Sequence, residues 1–176
     1  MILVYACSVL GALFCLLWAC KTDLLSMTIP NRIPLMLAAL FIPAYFCGAS
    51  EGFLHWKAHL AAAGLMFVAT FIMFALKIWG AGDSKLAAAL SLWVGLKGLA
   101  TFMSVMALSG LGLVALSFAI RKIKFKSGIF PEQSWIGRLQ AGEKNLPYGI
   151  AIVAGGVAAF IERGYFDFLL PLLHGG

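Results

Sequence analysis

Acid is scarce in this chain. Its 176 residues include seven carboxylates, Asp23, Glu51, Asp83, Glu132, Glu143, Glu162 and Asp167, and charged residues of both signs make up 11%. With 62% hydrophobic residues and a mean hydropathy of +0.98, that scarcity excludes a water-soluble domain, which could not hide so much apolar surface. The only sizeable polar stretch is Arg121 to Asn145, which leaves no room for a soluble domain beside the apolar runs. The four cysteines, Cys7, Cys15, Cys20 and Cys47, form no Cys-x-x-Cys pair and lie in or beside apolar runs. They read as small buried hydrophobes, not as a zinc site or disulfide framework. Neither an internal repeat nor a low-complexity tract is visible, and no long alternation supports a β-barrel. Met1 runs into apolar residues without a basic region, and no small-residue cleavage site follows, so the first segment reads as a retained span and not a signal peptide.

What is present is six apolar segments, about Ile2–Cys20, Ile33–Cys47, Ala58–Trp79, Leu86–Leu96, Leu99–Ile120 and Leu146–Ile161. Backbone polar groups must be satisfied inside lipid, so these segments are expected to be helices. The predicted class is an all-α polytopic membrane protein of about six transmembrane helices, one domain over residues 1–176. The fourth segment is short for a span, and either takes Asp83, Ser84 and Lys85 as its first turn or bends at Gly95 and Gly98. With the N-terminus outside, ten of the thirteen basic residues fall in inside loops: Lys21, Arg32, Lys77, Lys85, Arg121, Lys122, Lys124, Lys126, Arg138 and Lys144. Lys57, Lys97 and Arg163 fall outside, a clear positive-inside bias. The net charge of +6 therefore reflects basic loops and not a nucleic-acid partner. The alternating run Arg121 to Lys126 reads either as an interfacial segment facing anionic headgroups or as a plain orientation signal.

Two of the acids stand at membrane edges. Ionisable groups at membrane depth cost roughly 2.5 kcal/mol or more at a helix centre, which makes them functional candidates. Asp23 follows the first segment in Lys21-Thr22-Asp23, and Ile29-Pro30-Asn31 soon after reads as a tight turn into the second helix. Asn31 suits an N-cap and Pro34 a first helical turn. Asp83 closes the string Gly80-Ala81-Gly82-Asp83, whose glycines permit close approach of another chain. Taken singly, Asp23 also reads as a solvated loop charge, Asp83 as a helix N-cap and Lys85 as a snorkelling side chain. Taken together, two aspartates held close cannot both ionise cheaply. They share a proton, and the pair can act as general base and acid on a water and a carbonyl. His55 and His59, at i and i+4, fall on the outside and read as interfacial polar residues, not metal ligands; His174 lies in the tail. No metal or cofactor is called for. A third string, Asn145-Leu146-Pro147-Tyr148-Gly149-Ile150-Ala151, opens the sixth segment. Pro147 is expected in its first turn, Tyr148 as a belt residue or a donor toward the site, and Gly149 as a close-packing point.

These three strings, in this order and spacing, resemble the type IV prepilin peptidases, the bacterial branch of the Gly-x-Gly-Asp intramembrane aspartyl proteases. The resemblance implies that Asp23 and Asp83 are the catalytic dyad, supported by Gly80, Gly82, Lys85, Pro147, Tyr148 and Gly149. It also implies cleavage of prepilin leader peptides at the cytoplasmic face of the bacterial inner membrane, with a prepilin helix and membrane lipid as partners. Larger members carry an N-terminal Cys-x-x-Cys region and N-methylate the product; this sequence lacks that motif and so resembles the short form of tight-adherence (Flp) pilus systems, without methyltransferase activity. The competing readings are a small proton-coupled transporter subunit with relay aspartates and a non-catalytic secretion-system scaffold. The edge position of the acids and the lack of a repeat count against the transporter.

Overall fold

The computed structural model describes residues 1–48, 55–123, 134–143 and 145–167. The described residues form helices α1 (Ile2–Ser26), α2 (Arg32–Gly48), α3 (Trp56–Ala75), α4 (Ala81–Lys122), α5 (Trp135–Gln140) and α6 (Gly149–Glu162), with no strand among them. α1, α3 and α4 are long and apolar enough to cross a membrane, and α2 and α6 are shorter apolar helices. α3 buries a single stripe, Ala62, Met66 and Thr70, and leaves Leu65, Phe67, Val68, Phe71, Ile72 and Phe74 exposed. Spacing of i, i+4 and i+8 gives one narrow inward face. The remainder is a surface suited to lipid, and the chain is a membrane protein.

α4 is the centre of the bundle, packed against α2, α3, α5 and α6. Straight, its 42 residues would reach about 63 Å at 1.5 Å per residue, twice a bilayer core. It does not run straight. Gly95 adopts φ 66° and ψ −179°, a conformation open essentially to glycine alone, and the chain doubles back there. The contacts show the reversal: the neighbours Gly155 and Gly156 of α6 meet Phe102 and Leu90, one from each half of α4. The fourth and fifth apolar segments thus form a helical hairpin. Of the two bends the sequence suggested, Gly95 is the one used; Gly98 is buried and packs on Val94 and Arg163.

A reversal inside the bundle leaves carbonyls without helical donors, and those must be satisfied. His59 Nδ1 lies 2.7 Å from the Leu92 carbonyl oxygen, and the Tyr165 hydroxyl donates to the Trp93 carbonyl at 2.6 Å. Trp93 itself is fully buried, donates its indole N–H to Leu37 O at 2.8 Å and packs on Phe41, Phe160 and Tyr165. His59 therefore serves as a hydrogen-bonding pin at the end of the bundle away from the aspartates.

Several boundaries differ from the sequence reading. α1 runs six residues past Cys20, because Lys21 to Ser26 contains no glycine or proline; Asp23 is a buried helical residue, 5% exposed, and not a loop charge. α3 stops at Ala75, so Leu76 to Trp79 form a loop. α6 starts at Gly149 with Tyr148 as N-cap, which puts Pro147 just before the helix and not in its first turn. The polar stretch holds the short α5, N-capped by the Ser134 hydroxyl. Trp135 and Leu139 of α5 form a small second core with Ile120, Leu24, Met27 and Leu146. Of the alternating basic run, residues 124 to 126 lie outside the described residues, as do Glu51, Glu132, Lys144 and His174.

Candidate active site

The loop after α1 shows how the short motifs cooperate. Met27 ends α1 in a left-handed conformation, with its N–H on Asp23 O at 2.9 Å. Ile29, 8% exposed, then wedges between two glycines. A methyl group at Gly82 would lie 3.1 Å from Ile29 Cβ, and one at Gly149 would lie 3.0 Å from Ile29 Cδ1. Asn31 stands at the start of α2, with Leu35 N–H on its carbonyl at 3.3 Å, but its side chain accepts from Lys85 Nζ at 2.8 Å instead of capping. Ile29-Pro30-Asn31 thus fastens the end of α1 to the starts of α4 and α6. Gly82 and Lys85 act through that fastening.

Each aspartate meets the N-terminus of a helix. Asp23 Oδ2 accepts from the backbone N–H of Gly149, the first residue of α6, at 2.8 Å. Asp83 sits in the first turn of α4, with its carboxylate folded back beside Gly80, the N-cap of that helix. Helix N-termini carry unsatisfied N–H groups and partial positive charge, so buried Asp23 and half-buried Asp83 both sit in favourable dipoles. The N-cap position the sequence allowed for Asp83 belongs to Gly80, and Asp83 lies three residues on, inside the first turn.

Asp23 and Asp83 line one cavity of about 500 Å³, with Met27, Met73, Lys77, Ile78, Trp79, Gly80, Asn145, Leu146 and Tyr148. Sixty residues separate the two aspartates in sequence, and the fold brings them to one space of the size that holds small ligands or a short peptide segment. Tyr148 meets Trp79 edge-on, with centroids 5.4 Å apart, and its hydroxyl end sits against bare Gly110 on the returning half of α4. Of the expected site residues, Asp23, Asp83, Gly80 and Tyr148 line the cavity. Gly149 touches Asp23 from behind, while Gly82, Pro147 and Lys85 do not line it; Lys85 is exposed on the outer side. The sequence reading missed Met27, Met73, Lys77, Ile78 and Trp79 as lining residues, because the hydropathy of the third segment runs on through Trp79. It also missed Gly110, whose signal is only a glycine in an apolar helix. Among the described residues no three His, Cys, Asp or Glu side chains gather as a metal site.

A family model, the type IV leader peptidase family, matches residues 10–120, well over half of the chain. The chain belongs to this family. The match takes in both aspartates, the Ile29-Pro30-Asn31 turn and the Gly80–Asp83 string, and ends before Tyr148 and Gly149. A leader-peptidase kind of function, with a prepilin as substrate, goes with the assignment. Comparison with curated proteins and with solved structures finds no match.

Proposed function

We propose that this leader peptidase is an aspartic endopeptidase in which Asp23 and Asp83 activate the attacking water. The observation that carries the reading is that two carboxylates far apart in sequence share one cavity, each backed by a helix N-terminus. One carboxylate, ionised, takes a proton from water as its oxygen attacks the scissile carbonyl carbon. The other, protonated, donates to the carbonyl oxygen. Collapse of the tetrahedral intermediate breaks the C–N bond, and the amine leaves with a proton. Gly80 and the residues before it, Lys77, Ile78 and Trp79, border the cavity beside Asp83, where an extended segment would lie. The cytoplasmic face of a bacterial inner membrane is favoured by the basic residues on the aspartate side of the bundle, Lys21, Arg32, Lys77, Lys85, Arg121, Lys122 and Arg138. The substrate class is a prepilin of the Flp type.

The test is processing of a co-expressed Flp-type prepilin in membranes by wild type, Asp23→Ala and Asp83→Ala, each checked for insertion. Loss of the shortened pilin in both variants is expected. Normal processing by either would remove that aspartate from the chemistry and return the transporter and scaffold readings.

A further inference from the structure

Among the described residues two that are not glycine hold a left-handed backbone, Met27 at φ 53° and Lys77 at φ 59°. Both line the aspartate cavity. Each terminates a helix. After α3, Ile78 N–H bonds to Met73 O and Lys77 N–H to Phe74 O, both at 2.9 Å, the paired closure that glycine ordinarily makes at a helix end. A side chain in this conformation crowds its own Cβ against the next carbonyl. Elsewhere the chain spends glycine on positive φ, at Gly95, Gly142 and Gly164. Strained backbone of this kind persists where the surroundings over-determine it, commonly at ligand clamps. Among the described residues that line the cavity, Lys77 is also the one cation, beside two carboxylates. A lysine beyond a helix C-terminus is favoured by the helix dipole, but that attraction does not require the left-handed position.

We propose that Lys77 and Met27 grip the substrate at the cavity. The Lys77 ammonium donates to an oxygen of the extended segment, carboxylate or backbone carbonyl, and the Met27 side chain packs on its apolar flank. The inference rests on the peptidase reading of the cavity. It places the Lys77 side chain where the fold alone would prefer glycine, because the chain needs what that side chain binds; Met27 packs on the α5 core as well.

The experiment is steady-state cleavage of a peptide spanning a prepilin leader junction by the full chain in detergent, with thermal unfolding of each variant alongside. Lys77→Gly and Lys77→Met are expected to raise KM about tenfold or more with a much smaller change in kcat, the loss of one charge-assisted hydrogen bond. Lys77→Arg keeps the KM near wild type. Met27→Gly raises KM and also loses packing on the α5 core, so stability is read on Lys77→Gly, which unfolds at the wild-type temperature or above it. A peptide whose acids near the junction are replaced by amides separates the two acceptors: if it no longer distinguishes Lys77→Met from wild type, the partner is a carboxylate, and if it still does, a carbonyl. Wild-type KM in Lys77→Gly, or equal losses in Lys77→Arg and Lys77→Met, would overturn the proposal while cleavage abolished by Asp83→Asn leaves the peptidase reading standing. Absence of cleavage by wild type itself sinks both.

Discussion

Replacing Gly149 by alanine probes the active-site geometry with one methyl group. The new carbon would lie 2.7 Å from Asp23 Oδ2, 3.0 Å from Ile29 Cδ1 and 3.2 Å from Asp23 Cγ. Ordinary contact begins near 3.4 Å, so the carboxylate or the start of α6 must give way by about 0.7 Å. Ile29 blocks one escape, because it is already wedged against Gly82. Overpacking of this kind costs roughly 1–3 kcal/mol, partly offset by about 1 kcal/mol of better helix propensity for alanine. The protein should therefore insert and fold. Catalysis is less forgiving: a misplacement of about 1 Å at a reacting group can lower the rate about 10²-fold. The expected result is normal accumulation with pilin processing reduced about 10- to 10²-fold, read as the ratio of mature to precursor pilin over time in membranes. Gly112→Ala is the matched control, since nothing lies within 4 Å of the added carbon, and it should process at the wild-type rate. Gly149→Ala with wild-type processing would refute the claim that the α6 N-terminus positions Asp23.

Gly95→Ala should be severe, because φ 66° with ψ −179° is closed to alanine and its Cβ would sit 3.1 Å from the His59 ring; a loss of about 1–3 kcal/mol in strain alone should show as reduced accumulation or a lower unfolding temperature, and an unchanged temperature would contradict the hairpin. On the proposed dyad the rate as a function of pH should be bell-shaped, since such a pair would need one member ionised and one protonated: activity falls on the acid side as the base protonates and on the alkaline side as the acid ionises. A profile of kcat/KM with a single limb would argue against the dyad.

The aspartates were legible in the sequence because acid is rare here and expensive in apolar surroundings. Each stood beside turn-forming residues, which made it conspicuous. The glycine at position 95 was legible as a bend for a similar reason, a breaker in a segment too short to cross. What sequence does not carry is partnership at long range. The Asp23–Gly149 bond spans 126 positions, and the wedge of Ile29 into two glycine notches joins three strings that look like independent local signals. Lys77 and Trp79 were hidden for the opposite reason. Leu76, Ile78 and Trp79 continue the apolar run of the third segment, and only the left-handed turn at Lys77 shows that the helix has already ended.

The same geometry explains why the fold turns back so tightly near its middle. Helix N-termini carry free N–H groups and positive dipole ends only at their first turn, so a site that sets two carboxylates against such ends needs two helices starting at the same level. α4 starts at Ala81, with Asp83 in its first turn, and α6 starts at Gly149 beside Asp23. Between those starts the chain must leave the site and return to it, and the Gly95 reversal accomplishes this within α4. Its outgoing half carries Asp83, and its returning half brings Gly110 behind Tyr148 and Ile120 to the α5 core under Met27. His59 and Tyr165 satisfy the carbonyls exposed by the turn at the far end. The pins at one end of the bundle and the acids at the other are therefore parts of one arrangement, and loosening the reversal should reach the aspartates through the register of α4 against α6.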